Sequence, residues 1–381
     1  MVTRRADVAK LAGTSPAVVS YVLNGGPRGV SPETKARVLA AIEQLNYRPN
    51  GIARSLRTNR TMTLGLVVPD TSNPFFAQLA HAIEEAAFRE NYTLLLGNAA
   101  EDDERQTTYV RTFLARQVDG LFLVPAHGPA GCLPELLQSG VPFVTLDRRL
   151  PGAAAPAVLA DNRAGARAAV EHLLQHGRRS VACISGPQDV VPANERVNGW
   201  RDALAEAGVR PSEMSVWHGA FGRRAGYLGA RELLAGRKFD AVFVASDEQA
   251  VGVLRALQEL GIRCPEDVAV ASFDGIAAAA YTTPALTTMA QPFAEMGRVV
   301  LDRLLDAMDT ERDPEAAALT VLPVTLLARG SCGCPDPPGG EITEDQITED
   351  QITEDEITED EVGEDVAAGE HQAQEQQGGR A

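Results

Sequence analysis

Apolar runs that end in polar or aromatic clusters mark where this 381-residue chain could hold a small molecule. The run Leu64–Pro69 leads into Asp70, Asn73, Phe75 and Phe76, and the run from Phe143 ends at Asp147-Arg148. Asp161 closes the next run, Arg196 follows the Ser185-Gly186-Pro187 loop, and Phe221 sits between Gly219 and Gly222. Ser246-Asp247 and Phe273-Asp274 close two later runs, and Gln291 lies in a late connection. Carboxylates accept from paired hydroxyls, a guanidinium donates in a fixed fork, and a phenyl ring covers an apolar face. That is binding chemistry, suited first to a sugar or other polyhydroxy ligand and second to a nucleobase or nucleoside. Asp161 and Asp247 also precede predicted helices and serve equally well as plain N-caps. One of Phe75 and Phe76 is expected in the core.

The same residues do not assemble a catalyst. No G-x-G-x-x-G or G-x-x-x-x-G-K-[ST] loop occurs, and no serine has the G-x-S-x-G context of a nucleophile elbow. His172 and His176 are four apart, a metal-like spacing, but the segment is HLLQH, without the glutamate of H-E-x-x-H and with no evident third ligand. Cys332-Gly333-Cys334 lacks the paired spacing of a zinc site. A packed or solvated helix face is the expectation for the histidines. No catalytic residue, cofactor or metal is expected.

A second constellation opens the chain. In DVAKLAGTSPAVVSYVLN, from Asp7 to Asn24, small apolar residues make a short helix and Gly13 supplies the positive φ of a tight turn. Ser15 is a suitable N-cap, and Pro16 fits the first helical position. Val18, Val19, Val22 and Leu23 give the second helix an apolar face. Ser31-Pro32 starts a third helix to about Leu45, followed by NYRPNGIARSLRT from Asn46 to Thr58. Two short helices about a glycine turn form the helix-turn-helix pattern, whose second helix enters a DNA major groove.

This order resembles the LacI-type repressors. The resemblance rests on Asp7-Val8-Ala9, Ala12-Gly13, Val19-Ser20, Leu45-Asn46-Tyr47, Pro49-Asn50, Asn73-Pro74-Phe75-Phe76, Ser272-Phe273-Asp274 and Arg329-Gly330-Ser331, and spans residues 2 to about 333. It implies a sequence-specific transcriptional regulator, foremost a repressor controlled by a sugar-like effector. Alternatives are a corepressor-dependent or activating relative, or an α/β enzyme with a DNA-binding head. It implies that Pro16, Ala17 and Tyr21 meet base edges while Ser15, Ser20, Asn24 and Arg28 hold phosphates. Pro16 and Ala17 have no side-chain hydrogen bond to offer, so readout by Ala17 could only be apolar, as against a thymine methyl. It also implies a hinge from Asn50 that folds on DNA, with Leu56 wedged between base pairs, Ala53 beside it and Arg54 at phosphate. The cleft residues named above match the family's position by position. A homodimer on a near-palindromic operator follows by the same resemblance.

Charge is divided along the chain. The net charge of −17 conceals a head of +7 in residues 1–60 and a tail of −14 in residues 341–381. A basic head is the electrostatic footprint of phosphate contact. Five widely spaced cysteines argue against a disulfide framework and for reduced thiols in a cytosol. Arg4-Arg5 leads into a polar helix, so no signal peptide is expected, and no apolar run could span a membrane.

After Leu56 short apolar runs alternate with amphipathic helices. Strands are predicted from Leu64, Thr93, Gly120, Phe143, Val158, Val181, Ala241 and Val268, and helices at 76–90, 101–117, 162–176, 194–207, 223–235, 248–260 and 293–308. Such alternation implies parallel sheets covered on both faces. The family pattern implies a periplasmic-binding-protein-like core of two Rossmann-like subdomains. The expected division is a helix-turn-helix domain at 1–48, a hinge and linker at 49–61, and a core at 62–333. Within the core, one subdomain takes 62–160 with 293–323 and the other 162–290 with 324–333. From 334 to 381 the ITEDQ and ITEDE repeats have a period of five, so Ile342, Ile347, Ile352 and Ile357 cannot form a coiled-coil seam. A solvated, disordered acidic tail is expected.

Overall fold

The computed structural model describes residues 3–24, 29–48, 60–126, 130–210, 215–234, 236, 239–309 and 319–335. The expected hinge residues Asn50, Ala53, Arg54 and Leu56, the phosphate candidate Arg28 and the repeat tail lie outside the described residues.

The head is three helices, α1 (Arg5–Leu11), α2 (Pro16–Asn24) and α3 (Pro32–Gln44). Gly13 takes φ +63° between α1 and α2, as a residue without a β-carbon can at no steric cost. Ser15 Oγ accepts from the Val18 amide, and Ser31 Oγ accepts from Thr34 N at 3.3 Å beside Pro32 at the first turn. Val8, Val19, Val38, Ala41 and Tyr47 form the core, with Val22 and Leu45 packed against it.

The body contains two six-stranded sheets. The strands are β1 (Thr63–Val68), β2 (Thr93–Asn98), β3 (Gly120–Leu123), β4 (Phe143–Leu146), β5 (Ala157–Ala160), β6 (Val181–Ser185), β7 (Val216–His218), β8 (Ala241–Val244), β9 (Ala269–Asp274), β10 (Thr287–Ala290), β11 (Leu319–Leu322) and β12 (Thr325–Leu327). The first sheet runs β11-β5-β4-β3-β1-β2, and the second runs β12-β10-β9-β8-β6-β7. Among the described residues every pairing is parallel except β12 on β10. The chain passes between the sheets after Ala160, after Ala290 and again between Leu322 and Thr325.

Helices α4 (Pro74–Arg89), α5 (Asp103–Ala115), α6 (Leu133–Ser139), α7 (Asn162–Gln175), α8 (Val191–Glu206), α9 (Arg223–Leu234), α10 (Asp247–Leu260) and α11 (Phe293–Met308) flank them. Buried Leu64, Leu66, Phe122, Val144 and Val158 fill the first sheet, and Val181, Cys183, Phe243, Ala271 and Phe273 the second. Several strands read as unbroken apolar runs because both faces are covered. At Gly252 a β-carbon would meet the Arg223 carbonyl, so α9 and α10 touch backbone to backbone.

Short pieces escaped the sequence reading. The segments β7, β10, β11 and α6 span three, four, four and seven residues, too few for an apolar period to emerge. Helices α4 and α8 start earlier than expected, because Pro74 and Pro192 occupy first-turn positions where proline needs no donor. No helix among the described residues is long and apolar enough to cross a membrane.

Candidate functional site

A cavity of about 320 Å³ opens where the carboxyl ends of strands from both sheets face one another. Its walls include Asn73, Phe75 and Phe76 from the β1–α4 turn, and Asp147 and Arg148 after β4. Arg196 enters from α8, Phe221 from the loop before α9, and Asp274 from the end of β9. The volume sits at the low end of the roughly 300–1,000 Å³ range of small-molecule sites.

Each polar group is fixed from behind. The Arg196 side chain is buried, donates through Nε to Asn162 Oδ1 at 2.7 Å, and lies with its guanidinium carbon 3.8 Å from the Phe273 ring centroid. Its NH1 donates to the Ala245 carbonyl and to Asp274 Oδ1 at 3.1 Å. Gln291 Nε2 donates to the same Asp274 oxygen at 3.0 Å. Arg148 forks onto Glu101, with NH1 and NH2 at 3.1 and 3.2 Å, and also donates to the Pro125 carbonyl. Gln249 Nε2 donates to the carbonyls of Ser185 and Ala220, which ties down the loop carrying Phe221. The Phe221 ring occupies the space a β-carbon at Gly186 would need.

Two buried carboxylates carry unfavourable backbones. Asp147 has φ +57° and Asp274 φ +123°, in the left-handed region that costs a non-glycine residue on the order of 1–3 kcal/mol. Burial pushes the Asp274 carboxyl up to about 7; Arg196 opposes that, while Asp247 and Asp147 add to it. Burial also raises Asp147, against the pull of Arg148 and Arg196. Burial disfavours the charged form of both carboxylates, and hydroxyl donors from a ligand would offset that desolvation.

The remaining candidates divide between the cavity wall and the structure behind it. Asn73 lines the cavity, but its Oδ1 also accepts from Phe75 N at 3.0 Å as the cap of α4. Asp161 caps α7 by accepting from Ala164 N at 3.0 Å and lines an adjoining cavity rather than this one. Ser246 caps α10, and Asp247 is fully buried behind the wall. Asp247 Oδ2 accepts from Gly275 N and Ile276 N, both at 2.8 Å, and so holds the turn that presents Asp274. Gln291 touches the cavity only through Asp274. Both Phe75 and Phe76 are buried, with ring centroids 5.0 Å apart, and both line the wall.

Glu101, Asn162 and Gln249 were not picked from the sequence. Glu101 could have been, since it follows the end of β2 as Asp147 follows β4. The other two face inward from helices and leave no local signal.

On the head, Ser15, Pro16 and Ala17 are exposed at the start of α2, and Tyr21 is partly exposed one turn on. Ser20 is largely buried, at 7% exposure. Asn24 ends α2. Where the chain enters the body, Asp119 accepts from Thr61 N at 2.7 Å and Met62 N at 2.8 Å, which holds this entry point to the first sheet.

Comparison with known proteins bears on both parts. Residues 6–50 match the family described as bacterial regulatory proteins, lacI family, and residues 170–332 match a periplasmic binding protein-like domain. The ribose operon repressor of Escherichia coli strain K12 is 35% identical over 330 residues, 85% of this chain and 98% of that protein. The HTH-type transcriptional repressor PurR of Erwinia tasmaniensis is 35% identical over 328 residues, 85% of this chain and 95% of its own. Among solved structures, the lac repressor dimer bound to operator and an anti-inducer has a TM-score of 0.76 at 27% identity, covering 87% of this chain and 99% of that one. The transcriptional regulator CelR–cellobiose complex has a TM-score of 0.65 at 34% identity, covering 86% and 99%. With a helix-turn-helix head, two facing parallel sheets and relatives matched over nearly their whole length, the chain belongs to the lacI family of bacterial regulatory proteins and is a DNA-binding transcriptional regulator, not an enzyme.

Proposed function

We propose that the protein is a cytoplasmic, dimeric repressor whose operator affinity is set by a small polyhydroxy ligand in the cleft between the two sheets. The observation that carries this reading is the convergence of Asp147, Arg148, Arg196, Asp274 and Phe221 on one cavity, with two raised carboxyls and two fixed guanidinium groups. Carboxylates beside fixed guanidinium groups suit vicinal hydroxyls, which both donate and accept, and the phenyl rings suit the apolar face of a sugar ring. The cavity is small enough to favour a monosaccharide. Relatives support the class: one is named a ribose operon repressor, and a neighbour from Enterococcus faecium was solved with bound ribose.

The working division is a reading head at 1–48, a hinge at 49–61, a two-part sensing core at 62–333 and an acidic tail at 334–381. Ser15, Pro16, Ala17, Tyr21 and Asn24 face the major groove or its phosphates. Arg28 and Arg54 add phosphate contacts, while Asn50, Ala53 and Leu56 enter the minor groove. Ligand closure of the two subdomains changes the spacing of the paired hinges and biases their folding.

A second reading rests on the purine-repressor relatives and the phenyl-lined wall, which could stack a nucleobase. A thermal-shift panel of pentoses, hexoses and purine bases tests both. Operator titration with the winning ligand then separates inducer from corepressor logic. A pentose or hexose shift that vanishes in Asp274→Asn is expected; a shift with purines alone would overturn the sugar reading.

A further inference from the structure

Helix α7 holds Asn162 against Arg196 at one end. At its other end, about 15 Å along the axis, the fold brings together residues that the sequence reading had set aside. His172 stands in the last turn of α7 and His176 is its C-cap. Cys332 and Cys334 flank Gly333 in the short turn that follows β12. His172 Nε2 lies 3.2 Å from Cys332 Sγ and 3.7 Å from Cys334 Sγ, and His176 Nε2 lies 3.3 Å from Cys334 Sγ. All four donor atoms fall within 4.8 Å of one another.

These distances can be compared with what a metal demands. Zinc binds thiolate sulfur at about 2.3 Å and imidazole nitrogen at about 2.0–2.1 Å, so tetrahedral geometry separates sulfur from nitrogen by roughly 3.6 Å. The observed separations bracket that value. The i, i+4 spacing sets both rings on one helix face, with centroids 4.7 Å apart. Gly333, at φ +104°, turns the chain so that sulfurs two residues apart meet the same pair of rings. Two thiols and two imidazoles suit a tetrahedral, borderline-soft ion such as zinc, with no carboxylate to favour a harder one. Sequence spacing hid the site because each half is only a pair, and the halves lie about 160 residues apart.

We propose that His172, His176, Cys332 and Cys334 form a zinc site. Four protein ligands leave no open position, so its role is structural. The ion fastens the end of the folded body to α7. The neighbouring Ser331 already anchors that end, accepting from Thr287 N and donating to the Val270 carbonyl in the second sheet. The acidic repeats therefore hang from a point tied to the sheet that carries Asp274. The site is independent of what the cleft binds.

The test uses the full chain, purified with reducing agent, stripped with a chelator and titrated with cobalt(II) and then zinc(II). One cobalt per chain is expected, with tetrahedral ligand-field bands and a thiolate charge-transfer band that zinc abolishes. His176→Ala and Cys334→Ser alter the two ligands nearest the surface, so the fold should survive, as circular dichroism can check. Each should weaken zinc by more than the 10–100-fold that loss of a supporting residue costs. Zinc should raise the melting temperature of the wild-type chain but not of the double variant. It should also shield Cys334 from alkylation until a chelator is added. Octahedral cobalt without the thiolate band would overturn the proposal. So would undiminished zinc affinity in the folded double variant, or a Cys332–Cys334 disulfide forming equally with and without zinc.

Discussion

Asp274 carries the most tension of any residue in the cleft. It is buried, held at a positive φ and shared by Arg196 and Gln291, and its carboxyl is pushed up to about 7. In the unfolded chain the same group titrates near 3.9. Its protonated form is therefore favoured by folding, and the stabilisation is complete below pH ~4 and lost as pH rises through about 7. Asp274→Asn removes that titration while keeping an acceptor for Arg196. Asp147 and Asp247 shift in the same direction and both act on Asp274, so the comparison reads the titration of Asp274 together with its effect on these two neighbours. Between pH 5 and pH 8 the melting temperature of the wild-type chain should fall relative to that of Asp274→Asn. A difference that stays flat across this range, followed by scanning calorimetry, would refute the account of the buried carboxyl. On the head, Ala17→Asp places a charge on the exposed start of α2 and should abolish operator binding by phosphate repulsion, without changing the melting transition.

Among elements, helix–helix contact through glycine is the least forgiving feature. Gly252 and Gly226 let α9 and α10 approach until a β-carbon on either would strike the other's backbone carbonyl. Gly252→Ala gains up to about 1 kcal/mol of helix propensity but overpacks by about 1–3 kcal/mol. A net loss is expected, read as a lower urea midpoint at unchanged slope. The proposed hinge offers the opposite case, since a stretch that short would not hold a helix alone. Leu56→Ala should weaken operator binding at least several-fold while sparing random duplex; equal losses on both would argue against a wedge. These elements also show what could be read in advance. Long amphipathic helices and buried parallel strands announce themselves, because burial on both faces requires unbroken apolar runs. The cleft was legible where a polar residue ends such a run, as at Asp147 and Asp274. It was not legible where the fold decides, as with Asn162 beneath Arg196, because that role depends on a partner 34 residues away in sequence. Asp161 and Asp247 show the limit from the other side: an acid ahead of a helix reads the same whether it caps, supports a wall or meets a ligand.

For the whole molecule, the decisive property is how strongly the cleft and the head feel each other. The head carries +7, so duplex affinity of any sequence should fall steeply with salt as counterions are released. That term is blind to the ligand. In the proposed function control comes from the stretch 49–61, and Thr61 and Met62 at its body end are held by Asp119 to the sheet bearing Asp147 and Arg148. Moving such an equilibrium from 1:99 to 99:1 requires about 5.5 kcal/mol of difference in ligand affinity between the two states. Linkage makes that coupling reciprocal: whatever factor saturating ligand applies to operator affinity, operator must apply to ligand affinity. Titrating ligand against the protein alone, with operator, and with random duplex should give two equal affinities and one shifted by that shared factor. Asp274→Asn should erase the shift and leave ligand-free operator binding intact. Random duplex moving ligand affinity as far as operator does would mean that the cleft senses the head's charge rather than the hinge's fold, and the proposed coupling would be wrong.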